Sequence, residues 1–316
     1  MNIRAAGRQI AATCWKRLPA AFLFVAVVAL VVRVTVRDRV PIVSVLFYAT
    51  PYFLVAIMLF LSALRYLFRR SWGIGSLCLV MSIVCGIACH FTTFARNVPP
   101  NVSPGANVVF WNAGRGIFGW QSIADSLREF DADMIGLVEA GQGDPLMAQF
   151  WRTNFPDHNV VGPQQGMVFF ARGKVTSHEF GLLGEGGKYA RFEVQRDGRA
   201  VNVLLVDIKS NPFRSRREAF EHLVDLVDMY AGKPLMLMGD FNTPVDSVFM
   251  SGLESRLHHA FHTYGTGYDS TWPVPIPLLS LDHVWVSPDL PLHSCRLPWT
   301  WRSDHKPVLT ILESAK

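Results

Sequence analysis

Three long apolar stretches fill most of the first third of this chain and restrict what it can fold into. They run over residues 18–36, 40–64 and 72–94, and Arg33 is the one charged residue within them. A helix needs roughly 20 residues to cross the hydrocarbon core of a bilayer, so each stretch is long enough to span one. We therefore predict a membrane domain over residues 1–96 with three transmembrane helices. Because Lys16 and Arg17 precede the first stretch, a cleaved signal peptide is the alternative for that segment.

A proline-rich segment follows the apolar stretches. Residues 97–106 contain Pro99, Pro100 and Pro104, which prevent a helix from continuing and favour an extended backbone. We predict that this segment is a linker and that residues 107–316 form a separate domain. That length is sufficient for one domain with a sizeable hydrophobic core.

The net charge of +5 combines two parts of opposite sign. Residues 1–106 contain 11 Lys and Arg against one acidic residue, Asp38, which gives +10. The remaining residues contain 19 Lys and Arg against 24 Asp and Glu, which gives −5. The basic excess thus belongs to the apolar part, where the positions of basic residues indicate how the helices are oriented in the membrane. An acidic domain does not favour nonspecific binding to the DNA backbone.

The distribution of basic residues predicts the orientation in the membrane. With three spanning helices, seven basic residues lie on one side: Arg4, Arg8, Lys16, Arg17, Arg65, Arg69 and Arg70. Four lie on the other side: Arg33, Arg37, Arg39 and Arg96. Basic residues accumulate on the cytoplasmic side, so we predict a multi-pass protein of the cell membrane with an extracytoplasmic C-terminal domain. If one stretch does not span, the domain lies in the cytoplasm instead.

Residues 107–316 alternate between short apolar runs and amphipathic segments. Seven runs are typical of buried strands, namely 107–111, 134–138, 167–171, 201–206, 235–238, 284–286 and 307–312. Residues 121–130 and 214–230 show the period of an amphipathic helix. Strands interleaved with helices indicate an α/β domain, and the excess of strands favours two sheets over one.

Polar residues follow or precede several of these strands. The apolar run 234–238 stops at Gly239-Asp240-Phe241-Asn242, and side chains two positions apart on an extended backbone point the same way. Asp240 and Asn242 therefore converge on one place, where they can hold a water and a phosphate oxygen. Other strand ends carry Asn112, Glu139, Asp282, Asp304 and His305. A single Asn or Asp after a strand is an ordinary turn residue, but their recurrence in one domain points to a site.

Taken in order, these residues resemble a known family. Asn112, Glu139, the Gly-Asp-Phe-Asn turn, Asp282-His283 and Ser303-Asp304-His305 are similar to the motifs of the endonuclease/exonuclease/phosphatase superfamily, which includes DNase I-like nucleases and inositol polyphosphate 5-phosphatases. The resemblance covers about residues 107–312. It implies an α/β four-layer sandwich, in which two mixed sheets pack back to back between outer helices. It also implies a metal-dependent hydrolase acting on phosphoester bonds.

The resemblance implies a divalent-metal site. Phosphate esters resist attack because the anion repels nucleophiles and the alkoxide leaves poorly, and a hard cation with oxygen ligands offsets both effects. By resemblance, Glu139 is the main metal ligand, assisted by Asn112 and Asp304. The expected ion is Mg²⁺, with Mn²⁺ as a substitute.

The same resemblance implies catalytic roles for the other motif residues. Asp240 would position or deprotonate the attacking water, and Asn242 would hydrogen-bond a phosphoryl oxygen. His305 would stabilise the negative charge that grows in the transition state. Asp304 would orient that imidazole or contact the metal, and Asp282 would polarise another group of the site.

The sequence departs from the family pattern after the strand 201–206. Many members carry a histidine of the phosphate site there, and Asp207 aligns with it. An ionised aspartate cannot donate a hydrogen bond to phosphate. Either Asp207 binds a second metal, or it pairs with Lys209 or an arginine, or phosphate contact passes to Asn211 or Arg217. A strand-end acid without a catalytic role is a further alternative.

The expected partners are the lipid bilayer and a phosphoester substrate close to it. A membrane anchor joined to a domain of this family is similar to the membrane proteins associated with teicoplanin resistance. That resemblance implies a phosphatase acting on a lipid-linked phosphate. The alternatives are a sphingomyelinase-like phosphodiesterase, an exported nuclease and a catalytically degenerate envelope scaffold. Nucleic acid is not the favoured substrate, and no protein partner is inferred.

Three neighbouring histidines form a second possible metal cluster. His258, His259 and His262 have neither acidic nor cysteine neighbours in the sequence that would complete a zinc site. We therefore expect them to be loop histidines.

Overall fold

The computed structural model of the chain describes residues 3–99, 103–196 and 198–314. Residues 100–102 of the predicted linker lie outside this part, and its last residues, from Pro104, already belong to a strand. The chain forms two compact units. One comprises the residues up to Thr93 together with Pro212–Arg214, and the other comprises Phe94–Asn211 and the residues from Ser215 onward.

The first unit is entirely helical. Its helices are α1 (Ile3–Val34), α2 (Pro41–Ala49), α3 (Tyr52–Phe68) and α4 (Trp72–Thr93). Ser62 Oγ on α3 donates to Pro19 O on α1 at 2.9 Å, and Ser82 Oγ on α4 donates to Ala56 O on α3 at 2.8 Å. These small residues let the backbones approach closely, which is typical of helix packing in membranes.

The prediction of three transmembrane helices is wrong for the described part of the chain. Helix α4 has 22 residues and is long and apolar enough to cross a membrane. The stretch 40–64 is divided between α2 and α3, which are bent by 68° and count at most as one further span. The apolar part of α1, Leu18–Val34, is one of the shorter apolar helices and is not counted as a candidate span among the described residues. The described residues thus contain one candidate span, or two if the bent pair is counted.

Proline and arginine together explain the break between α2 and α3. Pro51 has no N–H group, so it cannot donate to the carbonyl of Phe47 in the preceding turn. Arg33 of α1 replaces that donor: its Nη2 donates to Phe47 O at 2.9 Å and its Nε donates to Thr50 O at 2.8 Å. Its guanidinium also stacks over the rings of Phe47 and Tyr52, at 4.4 and 4.7 Å. The bend is therefore a stabilised feature of the fold.

The second unit contains strands β1–β14. They are β1 (Phe94–Arg96), β2 (Pro104–Asn112), β3 (Met134–Val138), β4 (Asn159–Gln164), β5 (Met167–Ala171), β6 (Lys174–Leu182), β7 (Gly187–Arg196), β8 (Arg199–Ile208), β9 (Leu235–Asp240), β10 (His258–His259), β11 (Thr266–Tyr268), β12 (Asp282–Val286), β13 (Leu292–Arg296) and β14 (Val308–Glu313). Its helices are α5 (Trp120–Glu129), α6 (Pro145–Asn154), α7 (Arg217–Asp228), α8 (Ser251–Glu254) and α9 (Ala260–Tyr264). The sequence prediction lacks strands β1, β4, β6, β7, β10, β11 and β13 and helices α6, α8 and α9.

Two six-stranded mixed sheets organise this unit. The first sheet has the order β13-β14-β2-β3-β5-β4, and the second has the order β10-β12-β9-β8-β7-β6. Each contains one parallel pair, β2 with β3 and β8 with β9, among antiparallel neighbours. Strands β1 and β11 form a separate two-stranded sheet.

The sheets pack face to face, with helices on their outer faces. Alternate residues of both sheets form the central core, where Phe169 and Phe192 stack with ring centroids 4.3 Å apart. The other face of the first sheet packs against α5 and α6, and that of the second sheet packs against α7. This arrangement confirms the predicted α/β four-layer sandwich.

Candidate active site

Asp240 ends β9 at the point where the two sheets meet. Gly239 is required before it, since a Cβ on Gly239 would lie 2.2 Å from Val206 O on β8. Asp240 is buried, and its Oδ2 accepts from Asn112 Nδ2 at 2.9 Å. Its Oδ1 accepts from the backbone N–H of Asn242 at 2.8 Å. Asp240 and Asn242 are thus adjacent, but not in the predicted way: Asn242 has a φ of +47° and meets Asp240 through its backbone N–H, while its side chain donates to Ile208 O. Asn112 of the other sheet joins Asp240.

The surroundings of Asp240 make its carboxyl group unusually basic. Burial and the neighbouring Asp282 carboxylate raise the pKa of Asp240 to about 8, although His305 opposes this shift. A carboxyl group with a pKa near neutrality can exchange a proton with a bound water under physiological conditions. This property suits a general base.

Asp282 and His305 form a buried pair beside Asp240. Asp282 begins β12, opposite Asp240 in the antiparallel register, and His305 lies in the loop before β14. His305 Nδ1 lies 2.7 Å from Asp282 Oδ2. Trp111 Nε1 donates to the backbone oxygen of His305 at 2.9 Å and fixes the loop against β2.

This pair keeps the imidazole of His305 protonated. Burial alone lowers the pKa of His305, but the Asp282 carboxylate, through its charge and its hydrogen bond, raises it to about 10. Asp240 and Asp304 contribute in the same direction. The ring is therefore a cation at neutral pH, held in a cluster of acidic groups.

Asp304 lies beside Gly114 and is not the residue that binds His305 Nδ1. Its Oδ2 accepts from Trp272 Nε1 at 3.3 Å. Of the two roles predicted for Asp304, orientation of the imidazole belongs to Asp282 instead. A Cβ on Gly114, which has a φ of +53°, would lie 2.7 Å from Asp304 Oδ1. Asp304 therefore packs directly against the backbone of Gly114.

Glu139 follows β3 in the left-handed region, with a φ of +52°. Its Oε2 accepts from Arg115 Nε at 3.1 Å, and 29% of its side chain is exposed. Glu139 and Arg115 line a cleft of about 1120 Å³. The cleft is also lined by Asp207, Asn211, Asn242 and Lys188.

Asp240, Asp282 and His305 are buried and do not themselves line the cleft. The hydrogen bond between the Asn242 N–H and Asp240 links the buried cluster to the cleft wall. Asp240 therefore lies directly behind the part of the cleft wall that Asn242 forms.

Asp207 is paired with a lysine that the sequence prediction did not include. Lys188 of β7 lies opposite Asp207 of β8 in the register, and its Nζ lies 3.0 Å from Asp207 Oδ2. The expected partner Lys209 also lines the cleft. The structure does not bring Arg217 into the cleft lining: its exposed side chain lies 3.8 Å from Glu221 along α7.

Four charged residues lie in one row across the second sheet. Lys188, Asp207, Asp240 and Asp282 are successive partners in the registers of β7, β8, β9 and β12. Residues directly opposite each other share a face of a sheet. Lys188 binds Asp207 at one end of this row, and His305 binds Asp282 at the other.

Two groups of residues could hold a divalent metal. In the first group, Asp240, Asp282 and His305 offer ligand atoms within 4.8 Å of one another. Asp282 Oδ1 is buried without a hydrogen-bond partner among the described residues. However, the protonated imidazole in this group disfavours a cation there.

The second group is the set that the sequence predicts, namely Asn112, Glu139 and Asp304. Asn112 Oδ1 accepts from Gly114 N at 2.9 Å, and Asp304 Oδ1 packs against the same glycine. Arg115, the next residue, binds the Glu139 carboxylate. All three residues supply oxygen atoms, which Mg²⁺ prefers. A side chain at position 114 would press against Asp304 Oδ1 and Ser303 Oγ.

The expectation of loop histidines is wrong, because His258 and His259 form β10 and His262 lies in α9. His259 is buried, and its Nδ1 accepts from the backbone N–H of His262, so its Nε2 donates to His283 Nδ1 at 3.0 Å. His283 Nε2 then donates to Thr243 O at 3.0 Å, next to Asn242. Burial lowers the pKa of His283 to about 4 and that of His259 well below 6.5, so both rings are neutral. The pair supports the turn that carries Asn242.

Comparison with known proteins agrees with this geometry. Residues 109–305 match the model of the Endonuclease/Exonuclease/phosphatase family. A search of the curated proteins found no match.

Several solved structures share the fold of the second unit. A family protein from Bacteroides thetaiotaomicron is 16% identical with a TM-score of 0.55, over 66% of this chain and 98% of its own. A humanized TDP2 of D. rerio is 13% identical with a TM-score of 0.55, over 66% and 99%. A mannosyl-6-phosphatase of Bacteroides thetaiotaomicron is 17% identical with a TM-score of 0.52, over 66% and 100%.

The family match covers more than half of the chain and includes every residue of the buried cluster. The solved structures have the same fold as the second unit. The chain therefore belongs to the Endonuclease/Exonuclease/phosphatase family and is a hydrolase acting on phosphoester bonds.

Proposed function

We propose that this chain is a membrane-anchored, metal-dependent phosphoesterase that hydrolyses its substrate by in-line attack of water. One observation carries the proposal: Asp240 is held by the Asn112 side chain and the Asn242 backbone, beside the Asp282–His305 pair. A basic carboxylate and an imidazolium in one buried cluster are the acid and base that phosphoester hydrolysis requires.

Asp240 acts on the oxygen of the attacking water, and Asn242 acts on a phosphoryl oxygen of the substrate. Asp240, whose pKa is about 8, accepts the proton of the attacking water. Asn242 Nδ2 uses one of its two hydrogens to donate to Ile208 O at 2.8 Å. Its second hydrogen remains for a phosphoryl oxygen. The bond to Ile208 also fixes the amide plane before the substrate binds.

His305 stabilises the charge that develops during hydrolysis. Its Nδ1 is held by Asp282, so the protonated ring presents its Nε2–H to a phosphoryl oxygen. An interaction of a fixed cation with developing negative charge strengthens in the transition state, which is the condition for catalysis.

Glu139, Asn112 and Asp304 are the residues that we propose hold the metal, with Mg²⁺ as the ion and Mn²⁺ as its substitute. When bound, a divalent ion supplies Lewis-acid stabilisation of phosphoryl and leaving-group oxygens. Asn112 Oδ1 and Asp304 Oδ1 both lie beside Gly114, which supports their assignment to one site. Arg115 holds the Glu139 carboxylate in place.

The cleft supports a substrate with an apolar part. Trp120, Met147 and Leu182 contribute apolar side chains to its lining, and the Leu182 side chain is exposed. Large exposed apolar side chains also flank two of its lining segments, namely Ile117, Phe118 and Leu146. Exposed apolar patches next to a polar site mark surfaces that bind apolar ligands or membranes. We therefore favour a lipid-linked or membrane-proximal phosphoester.

The anchor we propose is α4, with the bent pair α2–α3 as a second membrane element. Three arginines precede α4, namely Arg65, Arg69 and Arg70, and Arg96 alone follows it within the next ten residues. The basic side faces the cytoplasm, so the second unit follows α4 on the extracytoplasmic side. This orientation brings the enzyme to substrates of the cell envelope.

A substrate panel tests the proposal. Full-length protein in detergent is given a prenyl diphosphate, a sugar phosphate, sphingomyelin and single-stranded DNA, each with Mg²⁺ and with a chelator. We expect metal-dependent phosphate release, fastest from the prenyl diphosphate. Faster cleavage of DNA would support an exported nuclease, and faster cleavage of sphingomyelin would support a phosphodiesterase. Absence of hydrolysis in the whole panel would support a non-catalytic scaffold.

A further inference from the structure

The position that departs from the family pattern is part of an ion pair inside the cleft. Asp207 and Lys188 lie opposite each other on β8 and β7, and their charged atoms are 3.0 Å apart. Both line the cleft together with Glu139 and Asn242. This charged pair is close to the residues that we propose bind the phosphoryl group, so we expect it to contact the substrate.

The ammonium group lies near the backbone of the principal metal-ligand candidate. A Cβ built on Gly166 would lie 3.7 Å from Lys188 Nζ and 3.9 Å from the Cα of Glu139. A side chain at position 166 would therefore fill the space that these two groups share. Gly166 keeps this part of the cleft wall open.

Lys188 has a hydrogen-bond donor left for a ligand. An ammonium group carries three N–H donors. One is used by Gln165 O at 2.6 Å and a second by Asp207 Oδ2 at 3.0 Å. The side chain is 29% exposed, so the third donor can reach a group bound in the cleft.

The charges also favour Lys188, rather than a second metal ion, as the partner of Asp207. Burial raises the pKa of Asp207, and the Lys188 ammonium counteracts that shift. Among the described residues, Asp207 does not belong to a group with metal-ligand geometry. Without Lys188, Asp207 and Glu139 would present two carboxylates to an anionic substrate, which would repel it.

We propose that Lys188 binds a non-bridging oxygen of the phosphoryl group and that Asp207 is the residue that positions Lys188. The inference rests on the proposed function, because it names a substrate contact of the same site. The ion pair supplies the donor that an aspartate at position 207 cannot provide by itself. In this chain a lysine from the neighbouring strand thus takes over phosphate recognition.

The test compares Lys188→Met, Lys188→Arg and Asp207→Asn with wild type in full-length protein. Lys174→Met is the matched control, since Lys174 is an exposed residue at the start of β6 outside the cleft lining. Two quantities are measured with Mg²⁺: the KM and kcat for p-nitrophenyl phosphate, and the Kd for inorganic phosphate by calorimetry. Thermal unfolding shows whether each variant is folded.

Loss of one charge-assisted hydrogen bond predicts that Lys188→Met weakens phosphate binding by about tenfold to a hundredfold and raises KM in parallel. Lys188→Arg restores part of the affinity, Asp207→Asn loses less than Lys188→Met, and the control is unchanged. A folded Lys188→Met protein with the wild-type Kd for phosphate would overturn the inference. Inactive wild-type protein would instead contradict the proposed function, and the phosphate titration would still decide the role of Lys188.

Discussion

Asp282 Oδ2 and His305 Nδ1 lie 2.7 Å apart, although the two residues belong to segments of different sheets. Asp282 begins β12 of the second sheet, and His305 precedes β14 of the first. The pair therefore forms only when the two sheets pack together. Catalytic competence of this site depends on the complete sandwich.

Removing the charge of Asp282 should deprotonate His305. Burial lowers the pKa of His305, and the Asp282 carboxylate is the main group that raises it to about 10. In Asp282→Asn we expect this pKa to fall below that of a solvated histidine, so that the ring is neutral near pH 7. NMR titration of the imidazole measures the shift, and Asp289→Asn, an exposed acid after β12, is the control.

The same variant should lose activity because a neutral ring stabilises the transition state less. We expect roughly a 10²–10³-fold lower kcat for Asp282→Asn near neutral pH. A His305 pKa that stays near its wild-type value in Asp282→Asn would contradict the account of the pair.

A methyl group at position 114 should weaken metal binding. In Gly114→Ala the new Cβ would lie 2.7 Å from Asp304 Oδ1, so the carboxylate must move. Gly119→Ala is the matched control, because Gly119 also has a positive φ but no atom within 4 Å of its Cβ. We expect about a 10–100-fold higher Mg²⁺ requirement in Gly114→Ala, as for other disturbed metal ligands. Equal Mg²⁺ dependence in both variants would argue against Asp304 as a ligand.

Acid should destabilise the domain through the buried histidines. The pKa of His283 in the folded protein is about 4, below the value of about 6.5 for an unfolded chain. The stabilisation is therefore complete above pH 6.5 and is lost as the pH falls towards 4. Each neutral histidine contributes a slope of up to about 1.4 kcal/mol per pH unit in this window.

His259→Gln tests the predicted loss of stability in acid. The glutamine amide can still donate to His283, and the substitution removes one titrating ring. We expect the free energy of unfolding by urea to depend less steeply on pH between about 6.5 and 4 than in wild type. His258→Gln, which changes the exposed neighbour, serves as the control. An unchanged slope in His259→Gln would show that His259 is not held neutral by the fold.

The orientation of the second unit is open to a direct measurement. A reporter fused after Lys316 that is active only outside the cytoplasm should be active in cells. Replacing Arg65, Arg69 and Arg70 with Gln removes the positive charge before α4. This change should reduce the signal, because these residues hold the start of α4 in the cytoplasm. A cytoplasmic signal from the wild-type fusion would contradict the proposed extracytoplasmic site.

The sequence predicted the central strands well because they are nearly continuous apolar runs. All residues of β3 and β9 are buried, and both strands end at residues of the site, next to Glu139 and at Asp240. Strand β7 is different, since buried Ala190, Phe192 and Val194 alternate with polar residues. That alternation was the available signal for β7, and recognising it would have brought Lys188 into consideration.

Side-chain contacts in the folded chain explain two other differences. Arg217 looked suitable because it is basic and near the site in sequence, but α7 directs it towards Glu221. The broken apolar stretch contains a visible warning in Pro51, whereas the Arg33 contacts that stabilise the bend join residues 14 and 17 positions apart. Composition shows that an apolar stretch can span a membrane, and tertiary contacts decide whether it is straight.

The central claim is that Asp240 is the base of a metal-dependent phosphoesterase. The most direct test is the rate of p-nitrophenol release from p-nitrophenyl phosphate by wild type and Asp240→Asn, each with Mg²⁺ and with EDTA. Asp225→Asn, an exposed acid on α7, is the control. The account predicts Mg²⁺-dependent hydrolysis by wild type and control, and a rate lower by about 10²–10⁴-fold in Asp240→Asn. Equal rates in wild type and Asp240→Asn, or hydrolysis that persists in EDTA, would contradict it.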